Sequence, residues 1–92
     1  MNKYESIIII NPNNDETEIN NIINKISNLI NENGIVESVE KLGKKRLAYE
    51  IKKNKEGHYV IINFEANNEF ITELERNYRI MQEIIKFIVI RK

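Results

Sequence analysis

The apolar residues of this chain change their spacing along the sequence, and the order of these changes constrains the fold more than any other feature. Lys3 to Ile10 is a strand candidate, and the turn-forming sequence Asn-Pro-Asn-Asn over residues 11–14 ends it. Apolar residues then recur every three or four positions, which is typical of one buried helix face. They are Ile19, Ile22, Ile23, Ile26, Leu29 and Ile30. Asp15 and Glu18 predict the start of this helix, and Gly34 is expected to cap its end.

The middle of the chain has the composition of two strands. Ile35 to Lys53 has β character with a break at Leu42-Gly43, and His58 to Glu65 is a clear strand. Between them, the sequence Lys-Asn-Lys-Glu-Gly over residues 53–57 predicts a turn. The chain is therefore expected to form a hairpin here.

A second helix and a last strand complete the pattern. Asn67 or Asn68 is placed to cap the helix, and Ile84 to Ile90 is the strand. One side of the helix carries Phe70, Ile71, Leu74 and Tyr78. The order β-α-β-β-α-β predicts a ferredoxin-like α+β fold, a four-stranded antiparallel sheet with both helices on one face, in a single domain over residues 1–92. Right-handed crossovers put the first and third strands in the centre and the other two at the edges.

The charged residues balance overall but not locally. The 92 residues contain 14 Lys and Arg and 14 Asp and Glu, which excludes a free-standing polycation that grips nucleic acid by bulk charge. Residues 41–58, however, carry seven Lys or Arg against two Glu, a balance of +5. This stretch is either a local contact to phosphate groups or a solvated edge strand that lysines protect from aggregation.

The sequence offers no recognisable catalytic or cofactor site. It lacks cysteine and metal-ligand spacing, has only three glycines, and contains one histidine, His58, without a fixed nucleophile or acid nearby. The loop over residues 11–16 has neither Gly nor Arg, which disfavours the anion-cradling loop of acyl phosphate hydrolases on this fold. We therefore expect no enzyme activity, no metal, no cofactor and no small-molecule substrate. No apolar run is long enough to span a membrane, and we expect a cytoplasmic protein.

The predicted fold leaves one sheet face without helices. Alternate residues of the two central strands would point to that open face, namely Ile7, Ile9, Tyr59 and Ile61. Such an apolar patch is typical of a surface that binds a protein partner. The alternative is that long neighbouring side chains, such as Lys86, shield it. The segment Lys55 to Phe64 is only loosely similar to the aromatic signature of RNA-recognition sheets.

Several short segments, spread in order over nearly the whole chain, resemble the bacterial small-subunit ribosomal protein S-six family. They are Tyr4-Glu5, Asn11-Pro12, Leu42 to Ile51, Gly57-His58-Tyr59, Arg79-Ile80 and Ile84 to Arg91. The run Gly43 to Ile51 is the most specific part. The resemblance implies the fold already described, no catalytic activity, and a structural role in the 30S subunit of the cytoplasmic ribosome.

The resemblance also implies two partners, 16S ribosomal RNA in the central domain or platform and ribosomal protein S-eighteen as a heterodimer. Basic residues at matching positions are candidates for binding the RNA phosphates. They are Lys3, Lys44, Lys45, Arg46, Arg79, Lys86 and Arg91. Leu47 and Tyr49 are expected to be packing residues first. The alternatives on the same fold are a small-molecule-sensing regulatory module with a polar pocket at a subunit interface, and a small hydrolase.

Overall fold

A four-stranded antiparallel sheet in the order β2-β3-β1-β4 organises the protein. The computed structural model describes residues 1–92. The elements are β1 (Asn2–Ile10), α1 (Glu16–Asn33), β2 (Gly34–Ile51), β3 (Asn54–Ala66), α2 (Asn68–Ile80) and β4 (Ile84–Arg91). This order confirms the predicted β-α-β-β-α-β fold, with β1 and β3 in the centre and β2 and β4 at the edges. Neither helix is long and apolar enough to cross a membrane.

Helix α1 begins and packs as its sequence predicts. The side chain of Asp15 accepts a 2.8 Å hydrogen bond from the backbone N–H of Glu18, and the Glu18 carboxylate accepts one of 2.8 Å from the Asp15 N–H. This reciprocal capping box satisfies two of the backbone donors that a helix start leaves free. The apolar stripe is buried against the sheet. The helix stripe therefore supplies one wall of the core.

The end of α1 differs from the expectation for a capping glycine. Gly34 has φ −176°, which is extended backbone, and it is the first residue of β2. A Cβ atom at this position would overlap the carbonyl oxygen of Glu65 in the neighbouring strand. Glycine is thus required by the close approach of β2 and β3, and not by a left-handed cap.

The other wall of the core is the helix-facing side of the sheet. Ile8, Ile10, Val60, Ile62 and Phe64 lie on this side and are buried, as the alternation of the strands predicts. Helix α2 covers them with the apolar residues expected from its sequence, Phe70, Leu74 and Tyr78.

One polar pair lies inside this apolar layer. The hydroxyl groups of Ser6 and Tyr78 are hydrogen-bonded at 2.7 Å, and both residues are almost fully buried. Each hydroxyl satisfies the other, and no buried side-chain polar atom is left without a partner. Burial raises the pKa of Tyr78 to about 12, although the hydrogen bond to Ser6 opposes part of that rise.

The hairpin between β2 and β3 reverses earlier than predicted. The turn is made by Lys52 and Lys53, whose φ angles of 48° and 65° match a type I′ turn, and β3 already begins at Asn54. The composition of residues 53–57 predicted a turn, but of these residues only Lys53 is in the turn, and Asn54 to Gly57 already belong to β3. The expected break at Leu42-Gly43 is a bulge inside β2, where the register shifts and Gly43 has φ 83°.

We predict that Tyr78→Phe lowers the free energy of unfolding by about 1–3 kcal/mol, because it leaves the buried Ser6 hydroxyl without its partner. Denaturant titration of Tyr78→Phe, Ser6→Ala and the double variant measures this effect. Removing both hydroxyls should cost less than the sum of the single changes. Additive costs would contradict a direct bond.

The same tyrosine predicts a specific alkaline sensitivity. The pKa of Tyr78 is about 12 in the folded state and 10.0 in the unfolded state, so the folded state keeps the phenol proton to a higher pH. The contribution of Tyr78 to the free energy of unfolding is therefore fully present below pH 10. It falls by about 2–3 kcal/mol as the pH rises through 12. The measured quantity is the difference in pH slope between the native chain and Tyr78→Phe, because this comparison isolates the contribution of the Tyr78 hydroxyl. Identical slopes would contradict the prediction.

Candidate nucleic-acid interface

Residues 44–57 form a projection that we call the hairpin arm. Strand β3 pairs with β1 only from His58 onward, so the arm lies beyond the end of that pairing. The register between β2 and β3 runs from Arg46 opposite Glu56 to Ile51 opposite Asn54. Strand β2 therefore uses three more residues than β3 over this interval, and the extra length forms a wide bulge over residues 47–50.

The arm folds across the open face of the sheet. Leu47 in the bulge is buried against Ile9 of β1 and Ile85 of β4, with Ile51 and Tyr59 packed at the margin. Strand β4 lies on the far side of β1 from β3, so this cluster connects the arm to the opposite edge of the sheet. Burial of Leu47 confirms its expected packing role.

A glycine allows the arm to take this path. A Cβ atom at Gly57 would overlap the Cγ2 methyl group of Ile9, and it would also approach Ile85. The missing side chain leaves the space that the β-branched Ile9 occupies. The close approach of the arm to β1 thus depends on glycine at this position.

A second connection between the arm and β4 is polar. Lys86 Nζ donates a 2.8 Å hydrogen bond to the hydroxyl of Tyr49 and lies 5.2 Å from the centroid of its ring. Tyr49 is 63% exposed, so it is not the packing residue that its sequence context suggested. Its ring instead holds the cation of Lys86 in place.

The open face carries an apolar patch that differs in membership from the expected one. Ile9 is only 7% exposed, because Leu47 covers it. Ile7 and Ile61 remain partly exposed and lie opposite each other, and Ile88 lies opposite Ile7 on its other side. Ile88 and Ile90 of β4 are 46% and 44% exposed. We call Ile7, Ile61, Ile88 and Ile90 the isoleucine patch.

Tyr59 and the arm border this patch. Tyr59 is partly buried and faces the same side as Ile9, with which it pairs. Between the arm and strands β1 and β4 lies an apolar groove of ≈ 280 Å³, whose lining includes Leu47, Tyr49 and Ile88. The expected patch did not include Ile88 and Ile90. Their assignment to this face follows from the side-chain alternation along β4 and from the register of β4 with β1.

The basic residues of the arm are exposed and unpaired. Lys44, Lys45 and Arg46 are consecutive, exposed residues of its β2 strand, where successive side chains point to alternate faces. The arm also carries Lys52, Lys53 and Lys55, which are not among the seven predicted RNA-binding residues. They belong to the basic stretch of residues 41–58, but the resemblance to the S-six family did not indicate them. The three ion pairs of the chain are Lys3–Glu37, Lys41–Glu16 and Arg79–Glu75. None involves the arm.

The seven candidate RNA-binding residues are divided between two ends of the sheet. Lys86 lies opposite Ile9, at the end where the arm projects, and Arg79 lies in the last turn of α2 near it. Lys3 and Arg91 belong to the other end, about 20 Å away along β1 at about 3.3 Å per residue. There, Lys3 Nζ lies 3.6 Å from Glu37, and Arg91 Nη2 donates a 2.9 Å hydrogen bond to Asn2.

Comparisons with known proteins agree along the whole chain. A family model described as Ribosomal protein S6 matches residues 3–91. The chain is 41% identical over 91 residues to the small ribosomal subunit protein bS6 of Alkaliphilus oremlandii, covering 99% of this chain and 97% of the relative. It is 45% identical over 91 residues to the protein of that name from Clostridium acetobutylicum, covering 98% and 96%.

A solved structure shares the fold closely. The crystal structure of 30S ribosomal protein S6 from Thermotoga maritima superposes with a TM-score of 0.94 at 39% sequence identity. The match covers 99% of this chain and 87% of the solved one. The likeness therefore includes both helices and all four strands.

We predict that Gly57→Ala destabilises the protein by about 1–3 kcal/mol, because the added methyl group overlaps Ile9 in a packed region. The cost should be smaller when Ile9→Ala has already removed the Cγ2 group. A double-mutant cycle by denaturant unfolding measures this coupling. An unchanged cost in the Ile9→Ala background would contradict the proposed path of the arm.

Proposed function

Because this chain belongs to the ribosomal protein S6 family of the small ribosomal subunit, we propose that it binds 16S ribosomal RNA through the hairpin arm and pairs with ribosomal protein S-eighteen through the isoleucine patch. Family membership confirms the S-six resemblance, and it makes the chain a structural ribosomal protein and not an enzyme. The proposed setting is the platform of the 30S subunit in the cytoplasm. The observation that carries the RNA proposal is the set of unpaired cations on the arm.

The charge of the arm supports contact with the RNA backbone. Six Lys and Arg face two acids, Glu50 and Glu56, which gives residues 44–57 a balance of +4 in a chain of zero net charge. Four of these cations lie on the two strands of the arm, and Lys52 and Lys53 form its turn. Arg46 can donate two parallel hydrogen bonds to one phosphate, whereas the lysines act as point charges. Such contacts position a protein on RNA and do not distinguish bases.

The limited number of cations supports the need for a second protein. RNA affinity from a few phosphate contacts is modest and falls steeply with salt. A partner that contacts both this chain and the RNA adds linked interactions, and the two proteins then bind better together than either alone.

The isoleucine patch supports a protein contact on the open face. It crosses β3, β1 and β4 without interruption, and large exposed apolar patches usually mark interaction surfaces. Acidic residues border it, since Glu5 lies opposite Ile90 and Glu40 lies opposite Ile61. An apolar centre with an acidic margin fits a partner that is itself basic, as an RNA-binding protein is.

The sensing-module alternative is less well supported. It requires a polar pocket at an interface between copies of the chain. The groove beneath the arm is instead lined almost entirely by apolar side chains. Membership of the ribosomal protein S6 family also favours the ribosomal function over a sensing module.

We predict that replacing Lys44, Lys45 and Arg46 together by Ala weakens binding to a 16S central-domain fragment at least about tenfold and reduces the salt slope by about 2–3. Filter-binding titrations with and without S-eighteen, at two or more salt concentrations, measure both quantities. The matched control replaces Lys25, Arg76 and Lys92, which removes the same charge from other surfaces. Equal losses in the two triple variants would mean that the arm is not the RNA contact.

We predict that Ile61→Asp and Ile88→Asp each abolish pairing with S-eighteen while leaving the fold intact, because both side chains are partly exposed on the proposed contact face. Ile80→Asp is the control, since Ile80 is 70% exposed at the end of α2, away from this face. Calorimetric titration against S-eighteen measures the affinity. Normal pairing by the Ile61 and Ile88 variants would overturn the assignment of the patch.

A further inference from the structure

A depression of ≈ 270 Å³ at the edge of the sheet is lined by three cations from three different elements. Lys52 comes from the turn of the hairpin arm, Arg79 from the last turn of α2, and Lys86 from β4. The remaining lining residues are Tyr78, Ile84, Ile85 and Phe87. No carboxylate lines the depression. Three basic side chains thus line one small depression together with apolar residues.

Neighbouring aromatic rings hold two of the three cations. The guanidinium carbon of Arg79 lies 5.6 Å from the centroid of the Phe87 ring, which leaves the N–H groups at the edge of its plane available. The hydroxyl of Tyr49 accepts one hydrogen bond from Lys86 Nζ, and an ammonium group has two further donors. Of the three cations only Arg79 forms an ion pair, and its contact with Glu75 is long, at 3.9 Å, and exposed.

Resting on the proposed function, we propose that this depression is a phosphate-binding site that takes one backbone phosphodiester of the ribosomal RNA. A planar guanidinium and two ammonium groups match the charge and the several acceptor oxygens of a phosphate. Because Lys52 belongs to the arm and Arg79 to α2, a bound phosphate would also fasten the arm to the helical layer.

Lys52→Ala and Lys53→Ala are a matched pair of variants for the test. The two lysines are neighbours in the same turn, both have positive φ, and each substitution removes one charge. Only Lys52 lines the depression. With the S-eighteen partner present, we expect Lys52→Ala to weaken RNA-fragment binding about tenfold and to lower the salt slope by about 1. Lys53→Ala also removes a charge of the arm, so it should weaken binding too, but less than about threefold because Lys53 lies outside the depression. Equal effects would overturn the site.

A second measurement separates RNA phosphate from free phosphate. Amide chemical shifts of the free chain are followed during titration with inorganic phosphate, against chloride at equal ionic strength. We expect saturable shifts at Ile84 to Phe87 and at Arg79, and their loss in Lys52→Ala. Saturable shifts together with unchanged RNA affinity of Lys52→Ala would assign the site to a free anion and overturn the proposal. A native chain that binds no RNA, even with the partner, would overturn the proposed function itself.

Discussion

The contact between Gly57 and Ile9 sets the path of the hairpin arm, and the functional surfaces depend on that path. Because position 57 has no side chain, the start of β3 passes directly over the Cγ2 methyl group of Ile9. Leu47 can then close over Ile9 and Ile85, which removes apolar surface from water on the side of the sheet that has no helices. The same crossing brings Tyr49 to Lys86 and places the turn beside β4. The absence of a side chain at Gly57 therefore determines where the cations of the arm lie.

The main elements of the fold could be predicted because each has a local cause. The isoleucine spacing of α1 and its capping residues Asp15 and Glu18 act within a few residues of each other, and the alternation along β1 and β3 assigns their buried sides. The position of the hairpin turn could not be predicted in this way. Lys52 and Lys53 lack the Asn or Gly that usually marks a type I′ turn, while the nearby Asn54 and Gly57 carry that signal without making the turn.

The candidate site was only partly accessible from sequence for a related reason. Lys44, Lys45 and Arg46 are adjacent in sequence, so their proximity follows from the chain itself. The grouping of Lys52 with Arg79 and Lys86 depends on three extra residues in β2, which let the arm reach the opposite edge of the sheet. Likewise, the burial of Ile9 depends on Leu47, a residue 38 positions away in sequence. Long-range placement of this kind has no local signature.

The cations around the depression also affect how copies of the chain meet one another. An edge strand with unpaired backbone groups invites a second copy to extend the sheet. Strand β4 is such an edge, and Lys52, Arg79 and Lys86 flank its beginning. Two copies joined edge to edge through β4 would bring both sets of cations into one interface, where like charges repel. We therefore expect these residues to disfavour edge-to-edge association of the free protein, and an anion that neutralises them would reduce this repulsion.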